Sequence, residues 1–216
     1  MAADTLSYDR DGNAVRPFQS HRFSPVQSWS PVITLLSGPI RIANPIPRCQ
    51  ETCVTVTDEY LANNAIYAST FKGPLPLPPS KHIAILACMD ARLDVHRLLG
   101  INEGEAHVIR NAGGVATDDA IRSLAISQRL LGTREIMLIH HTDCGMLTFT
   151  DDEFKRAIHE EVGVKPPWAA EAFSDVVEAV KQSLRRIEHS LFVTKHVSVR
   201  GFVFDVATGK LAEVTL

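Results

Sequence analysis

Ile83-Ala84-Ile85-Leu86-Ala87-Cys88-Met89-Asp90-Ala91-Arg92 is the stretch on which the reading of this chain turns. An apolar run ends in a cysteine, and a carboxylate and a guanidinium follow at two-residue steps. A second stretch repeats the design: Ile136-Met137-Leu138-Ile139-His140-His141-Thr142-Asp143-Cys144-Gly145. Each run is short, apolar and β-compatible, as expected of a strand buried on both faces of a parallel sheet. In an open α/β sheet, ligands bind beyond the carboxyl ends of the strands, and both polar clusters lie at that end.

Cys88, His141 and Cys144 together offer two thiolates and one imidazole, a set that suits Zn²⁺ in a tetrahedral site. His141 and Cys144 converge because the chain turns between them, with Gly145 easing the turn. Cys88 arrives from another strand, so a metal would tie two strand ends together. Three protein ligands leave a fourth position for water or for Asp90, and such a position separates a catalytic zinc from a structural one. In an extended chain Asp90 and Arg92 point to the same side, within reach of a carboxylate–guanidinium pair. Cys88 or Cys144 alone would read as a small buried hydrophobe; their joint placement with His141 makes the metal reading. His140 faces away from its neighbour and reads as a packed histidine. His82, His96, His107, His159, His189 and His196 show no ligand spacing.

Cys88-x-Asp90-x-Arg92, followed about fifty residues later by His141-x-x-Cys144-Gly145 with Arg110-Asn111-Ala112-Gly113 between them, resembles the signature of the β-class carbonic anhydrases. The resemblance extends over roughly Val54 to Leu216. It implies a Zn²⁺ enzyme that reversibly hydrates CO2 to bicarbonate and a proton through a zinc-bound hydroxide. It also implies that Asp90 and Arg92 are catalytic: Arg92 holds Asp90 off the metal, and Asp90 orients the nucleophile, becoming a fourth ligand only in a closed state. A homodimer or higher homo-oligomer follows from the same resemblance, with the first helix packed on the partner. Met89 and Ala91 stand where the commonest family form has a small residue and a serine. These changes spare the ligands and the Asp90–Arg92 pair but bear on the substrate pocket. They keep open a zinc hydrolase of the same fold acting on carbon disulfide or carbonyl sulfide. A non-catalytic, zinc-stabilised regulatory subunit is the third reading; Asp90 and Arg92 argue against it, since a structural zinc needs neither. No Gly-x-Gly-x-x-Gly or P-loop pattern follows any strand, which removes the nucleotide-binding reading.

At 216 residues, 45% hydrophobic and 22% charged, the chain has the composition of a globular protein with one sizeable core. A net charge of −3 gives no electrostatic case for nucleic acid or an anionic membrane as partner. No apolar run approaches the roughly 20 residues that span a bilayer. Thiolate ligands call for a reducing compartment, and the expected location is cytoplasmic. Cys49 and Cys53 are four residues apart, with no histidine or further cysteine near them to complete a metal site.

Residues 1–53 differ from the rest. Pro17, Pro25, Pro31, Pro39, Pro45 and Pro47, with many serines, break any sustained period and read as an irregular or disordered arm. The arm has no signal-peptide pattern, and Asp4, Asp9 and Asp11 count against a transit peptide; it reads as a tail or an over-long gene start. Residues 54–216 read as a zinc-binding α/β catalytic domain. Its expected elements begin with a helix capped at Thr57 and stopped by Phe71-Lys72-Gly73-Pro74. The Cys88 strand follows, then a short helix over Leu93–Leu99 and a strand over Ala106–Arg110. A helix capped by Thr117 and closed by Gly132 leads to the His141 strand. Beyond it come a helix with the Thr150/Glu153 capping box, a helix capped by Ser174, and strands over Val197–Val206 and Lys210–Val214. The fold class is α/β: a mostly parallel central sheet flanked by helices, with an antiparallel edge hairpin at the C-terminus. Because the arm supplies no periodic apolar face, deleting residues 1–53 is expected to leave melting temperature and activity largely intact, as checked by thermal unfolding of the truncated protein.

Overall fold

The computed structural model describes residues 54–194 and 198–216, together with strands β1 (Ser7–Tyr8) and β2 (Ala14–Val15). The chain divides into two compact units, Met1–Leu61 and Ala62–Leu216. In the first, β1 and β2 pair antiparallel. The remainder of the Pro- and Ser-rich segment, Cys49 and Cys53 included, lies outside the described residues. Helix α1 spans Val56–Thr70. Its cap is Thr55 rather than the expected Thr57. The Thr55 hydroxyl accepts from the N–H of Asp58 at 3.2 Å, and the Asp58 carboxylate accepts from the N–H of Thr55 at 2.8 Å. Three residues beyond Thr57 stands Tyr60, which has no carboxylate to return such a bond.

The remaining elements are β3 (Ile83–Cys88), α2 (Val95–Leu99), β4 (Ala106–Asn111), α3 (Asp118–Leu131), β5 (Glu135–His141), α4 (Asp151–Val162), α5 (Val176–Glu188), β6 (Ser198–Phe204) and β7 (Leu211–Val214). They build a five-stranded sheet in the order β4-β3-β5-β6-β7. Its pairings are parallel except the last, β6 with β7. The expected α/β architecture with a C-terminal antiparallel edge is therefore present. Among the described residues no helix is long and apolar enough to cross a membrane.

The apolar runs explain the layering. Ala84, Leu86, Ile136 and Leu138 pack with Ala120 and Leu124 of α3 and with Val180, Leu184 and Ile187 of α5. Ile85, Ala87 and Ile139 alternate with them and pack with Leu93, Val95, Met146 and Phe204. Burying one Leu or Ile side chain is worth about 1.5–3 kcal/mol, against roughly 1 kcal/mol for a helix cap. The runs therefore set the sheet, and the caps only decide where helices begin. Thr117 caps α3 and the reciprocal Thr150–Glu153 box caps α4, both as expected. α2 starts later than expected because Asp94 caps it. α5 is capped by Asp175, not Ser174: one carboxylate oxygen accepts from the N–H groups of Val177 and Glu178 at 2.7 and 2.9 Å. An ionised acceptor at a helix N-terminus satisfies two orphan donors and favours the dipole, which a serine hydroxyl does less well.

The turn Ala112–Gly114 carries the chain from β4 toward α3. Gly114 has φ +72°, and a Cβ there would stand 2.7 Å from the Cys88 nitrogen and 3.0 Å from the Ile139 oxygen. The loop backbone thus lies directly on the ends of β3 and β5, and only glycine permits both the conformation and the approach. Gly114→Ala is expected to cost roughly 2–4 kcal/mol, combining left-handed strain with overpacking against backbone that cannot yield. Thermal unfolding should show a fall in Tm of roughly 5–15 °C.

Candidate metal centre

Cys88 ends β3, and His141 ends β5, the neighbouring strand. Cys144 follows three residues later, at the entrance to the Gly145–Leu147 turn. The three side chains, all buried, bring their ligand atoms within 4.8 Å of one another. The two sulfurs are 4.0 Å apart. Two zinc–sulfur bonds of ~2.3 Å at a tetrahedral angle would span about 3.8 Å. His141 Nδ1 donates to the Thr142 carbonyl at 2.8 Å. Its Nε2 is buried without a hydrogen-bond partner. A buried imidazole nitrogen left bare beside two thiols fits a metal ligand whose other nitrogen is fixed by the backbone. His140, as expected, stays out of the group. It is fully buried, its ring tilted by 39° against that of Phe173 at 5.8 Å, and burial lowers its pKa to about 4.

The thiols share a proton unequally. A hydrogen bond from Cys144 holds the Cys88 thiol well below its ordinary pKa, with His141 helping and burial opposing. The same bond and the same burial push Cys144 up. The two thiols are linked through this hydrogen bond, and a cation that replaces the proton between them would relieve both groups.

Asp90 and Arg92 come together by a route other than the extended chain expected of them. The Asp90 carboxylate accepts from the backbone N–H of Arg92 at 2.8 Å, and its carbonyl accepts from Leu93 N–H at 3.0 Å. The chain bends at this point. Arg92 Nε and Nη2 then donate to the two Asp90 carboxylate oxygens at 2.9 and 2.8 Å, a two-pronged pair. The Arg92 hydrogen bonds hold the Asp90 carboxyl far below the usual carboxylate range, against the effect of burial. Asp90 Oδ2 stands 3.7 Å from His141 Nε2, so the carboxylate borders the ligand set while turned onto Arg92. Met89 and Ala91, the departures from the common family pattern, are both exposed.

Two further side chains bind this part of the backbone or Arg92, and no local sequence pattern announces either contact. Arg110 of β4 donates from Nε and Nη2 to the Cys88 carbonyl at 3.0 and 2.7 Å, and from Nη2 to the Asp90 carbonyl at 2.7 Å. It thereby fixes the backbone on both sides of Met89. Asp143, between His141 and Cys144, has φ +53° and binds Arg92 through both its carboxylate and its carbonyl. Arg110 lies in the quoted Arg-Asn-Ala-Gly loop, but its target appears only when Cys88 is placed opposite Asn111 in the sheet. Thr142 ties the same turn to the end of β6, donating its N–H to the Phe204 carbonyl at 2.9 Å and accepting from Val206 N–H at 3.1 Å.

A family model described as carbonic anhydrase matches residues 83–211, which takes in both ligand strands and the loop between them. Beta-carbonic anhydrase 1 of Mycobacterium tuberculosis is 78% identical over 162 residues, covering 75% of this chain and 99% of that protein. Carbon disulfide hydrolase of Acidithiobacillus thiooxidans is 33% identical over 156 residues, 62% of this chain and 78% of the relative. Among solved structures, carbonic anhydrase from Streptococcus mutans superposes with a TM-score of 0.70 at 39% identity, covering 74% of this chain and 98% of that one. The family model spans more than half of the chain, the Mycobacterium relative is 78% identical over 75% of it, and the chain belongs to the carbonic anhydrase family, in its β class.

Proposed function

We propose that residues 54–216 form a catalytic domain that reversibly hydrates CO2 to bicarbonate and a proton, with Cys88, His141 and Cys144 holding Zn²⁺. The observation that carries this reading is the buried, partnerless Nε2 of His141 beside two free thiols, bordered by a carboxylate that Arg92 holds aside. Zinc bound there supplies a Lewis acid that yields a strong nucleophile from water near neutral pH. Asp90 Oδ2 accepts a hydrogen bond from the attacking water and aims its lone pair at the CO2 carbon. Arg92 holds the carboxylate in that role and prevents it from joining the three ligands; in a closed state, with the pair broken, Asp90 is the fourth. A structural zinc would need neither residue, which weighs against a scaffold.

The two thiols, buried and unpaired, suit a reducing compartment, and we place the enzyme in the cytoplasm. Helix α1 buries none of its residues, and Ile66 is 69% exposed. Such a helix suits a homodimer in which it packs on a second copy.

Purified protein is expected to hold roughly one zinc per chain, as one convergent ligand set requires. Cys88→Ser and Cys144→Ser should each lose most of it, measured by metal analysis; full zinc in both variants would show that the ligands are other residues. Arg92→Ala should keep zinc and fold but lose CO2 hydration by 100-fold or more, about 2.7 kcal/mol of transition-state stabilisation. Asp90→Ala should lose activity as well, because the water is no longer aimed. Stopped-flow CO2 hydration on metal-loaded protein decides this, with carbon disulfide run in parallel. Full activity in Arg92→Ala would sink the role given to the pair, and turnover of carbon disulfide in place of CO2 would transfer the same site to the hydrolase reaction.

A further inference from the structure

Arg92 has five N–H donors on its guanidinium, and among the described residues the contacts they make go to Asp90 and Asp143. Nε and Nη2 reach Asp90. Nη1 reaches the Asp143 carboxylate at 2.8 Å, and Nη2 reaches the Asp143 carbonyl at 2.9 Å. One guanidinium therefore bridges the loop after Cys88 and the turn that separates His141 from Cys144. Asp143 is built for its end of the bridge in two ways. Its φ of +53° is in the left-handed region, which aspartate and asparagine tolerate better than other side chains. That conformation leaves its carboxylate and its carbonyl both free to meet the same cation.

We propose that Asp143 is a positioning residue for the Asp90–Arg92 pair, holding the guanidinium by its Nη1–Nη2 edge, next to the Nε–Nη2 edge that holds Asp90, and so fixing where the Asp90 carboxylate stands relative to Cys88, His141 and Cys144. Two effects of Asp143 oppose each other. Sharing one cation between two carboxylates weakens each ion pair, while double anchoring removes the guanidinium's freedom to rotate. The Arg92 side chain is 48% exposed and that of Asp143 61%. Ion pairs at such exposure are worth at most about 1 kcal/mol, so the electrostatic sharing is a small effect and the geometric one prevails. Without Asp143, Nη1 turns to solvent, the pair swings as a unit, and Asp90 spends part of its time among the ligands.

This inference rests on the metal site and reaction proposed above, and its test separates the two. Asp143→Gly removes the carboxylate but keeps the turn; Asp143→Asn keeps the turn and an acceptor oxygen. Both are loaded with cobalt(II), whose visible spectrum reports the fourth ligand without reference to turnover. The Asp143→Gly spectrum is expected to shift toward that of Arg92→Ala, and CO2 hydration to fall about ten-fold, the lower end of what losing an outer partner of a metal site costs. Asp143→Asn should return to within two- to three-fold of wild type, as estimated for retention of the Nη1 bond. In an Arg92→Lys background, where an ammonium cannot span both carboxylates, Asp143→Gly should add less than a two-fold loss, since coupled residues are non-additive. A wild-type cobalt spectrum in Asp143→Gly, or an undiminished loss in the Arg92→Lys background, would overturn the proposal. If the wild-type protein fails to hydrate CO2, the reaction is wrong, yet the cobalt spectra still decide the role of Asp143.

Discussion

The parallel pairing of β3 with β5 is the constraint on which everything else rests. Its register sets Leu86 beside Leu138 and Ala87 beside Ile139, so the two chains leave the sheet side by side. Cys88 then meets the His141–Cys144 turn without further adjustment. That register is imposed by burial on both faces: a slip of one residue would exchange the helix-facing set of Ala84 and Leu86 with the set of Ile85 and Ala87. The cluster of Cys88, His141 and Cys144 is in this sense a by-product of core packing. The polar residues do not draw the strands together; the apolar ones do, and the chemistry is placed at their ends.

Above the sheet, three polar links hold the cluster's backbone. Arg110 fastens the carbonyls of Cys88 and Asp90 to β4. Thr142 fastens the second turn to β6. Arg92 joins the two turns to each other. The loop 163–175 is secured separately: the Asp151 carboxylate accepts from the N–H groups of Ala170, Glu171 and Ala172 at 2.8, 3.2 and 2.8 Å, and Phe173 N–H donates to the Met146 carbonyl at 3.2 Å. This sets the Phe173 ring against His140. Strong hydrogen bonds to charged groups suit this task, because each replaces a backbone partner that irregular chain cannot find in a ladder.

How much of this could be read from the chain follows from the range of each interaction. Both buried strands, with Cys88 and His141 at their ends, are legible because they are local patterns: an apolar run, then a soft donor. The Thr117 cap and the Thr150–Glu153 box are local too. Thr57 and Ser174 give way to neighbouring caps because two candidates stand within two residues and an acidic group decides between them, Asp58 in one case and Asp175 in the other. Asp143 looked like an ordinary turn residue, since nothing near it in sequence reveals that Arg92, 51 positions away, needs a second anchor. The grip of Asp151 on Ala170 and its neighbours was invisible for the same reason, being 19 to 21 residues long-range.

The strand order β4-β3-β5-β6-β7 has a consequence for exchange kinetics. β3 and β5, which carry Cys88 and His141, each have a hydrogen-bonded neighbour on both sides, and the sheet's frayable edges are β4 and β7. Sub-global opening starts where ladder bonds and buried contacts are fewest. The edges can therefore come and go on short timescales while Cys88 and His141 keep their places, and the slowest amide protons of this sheet should lie on β3 and β5.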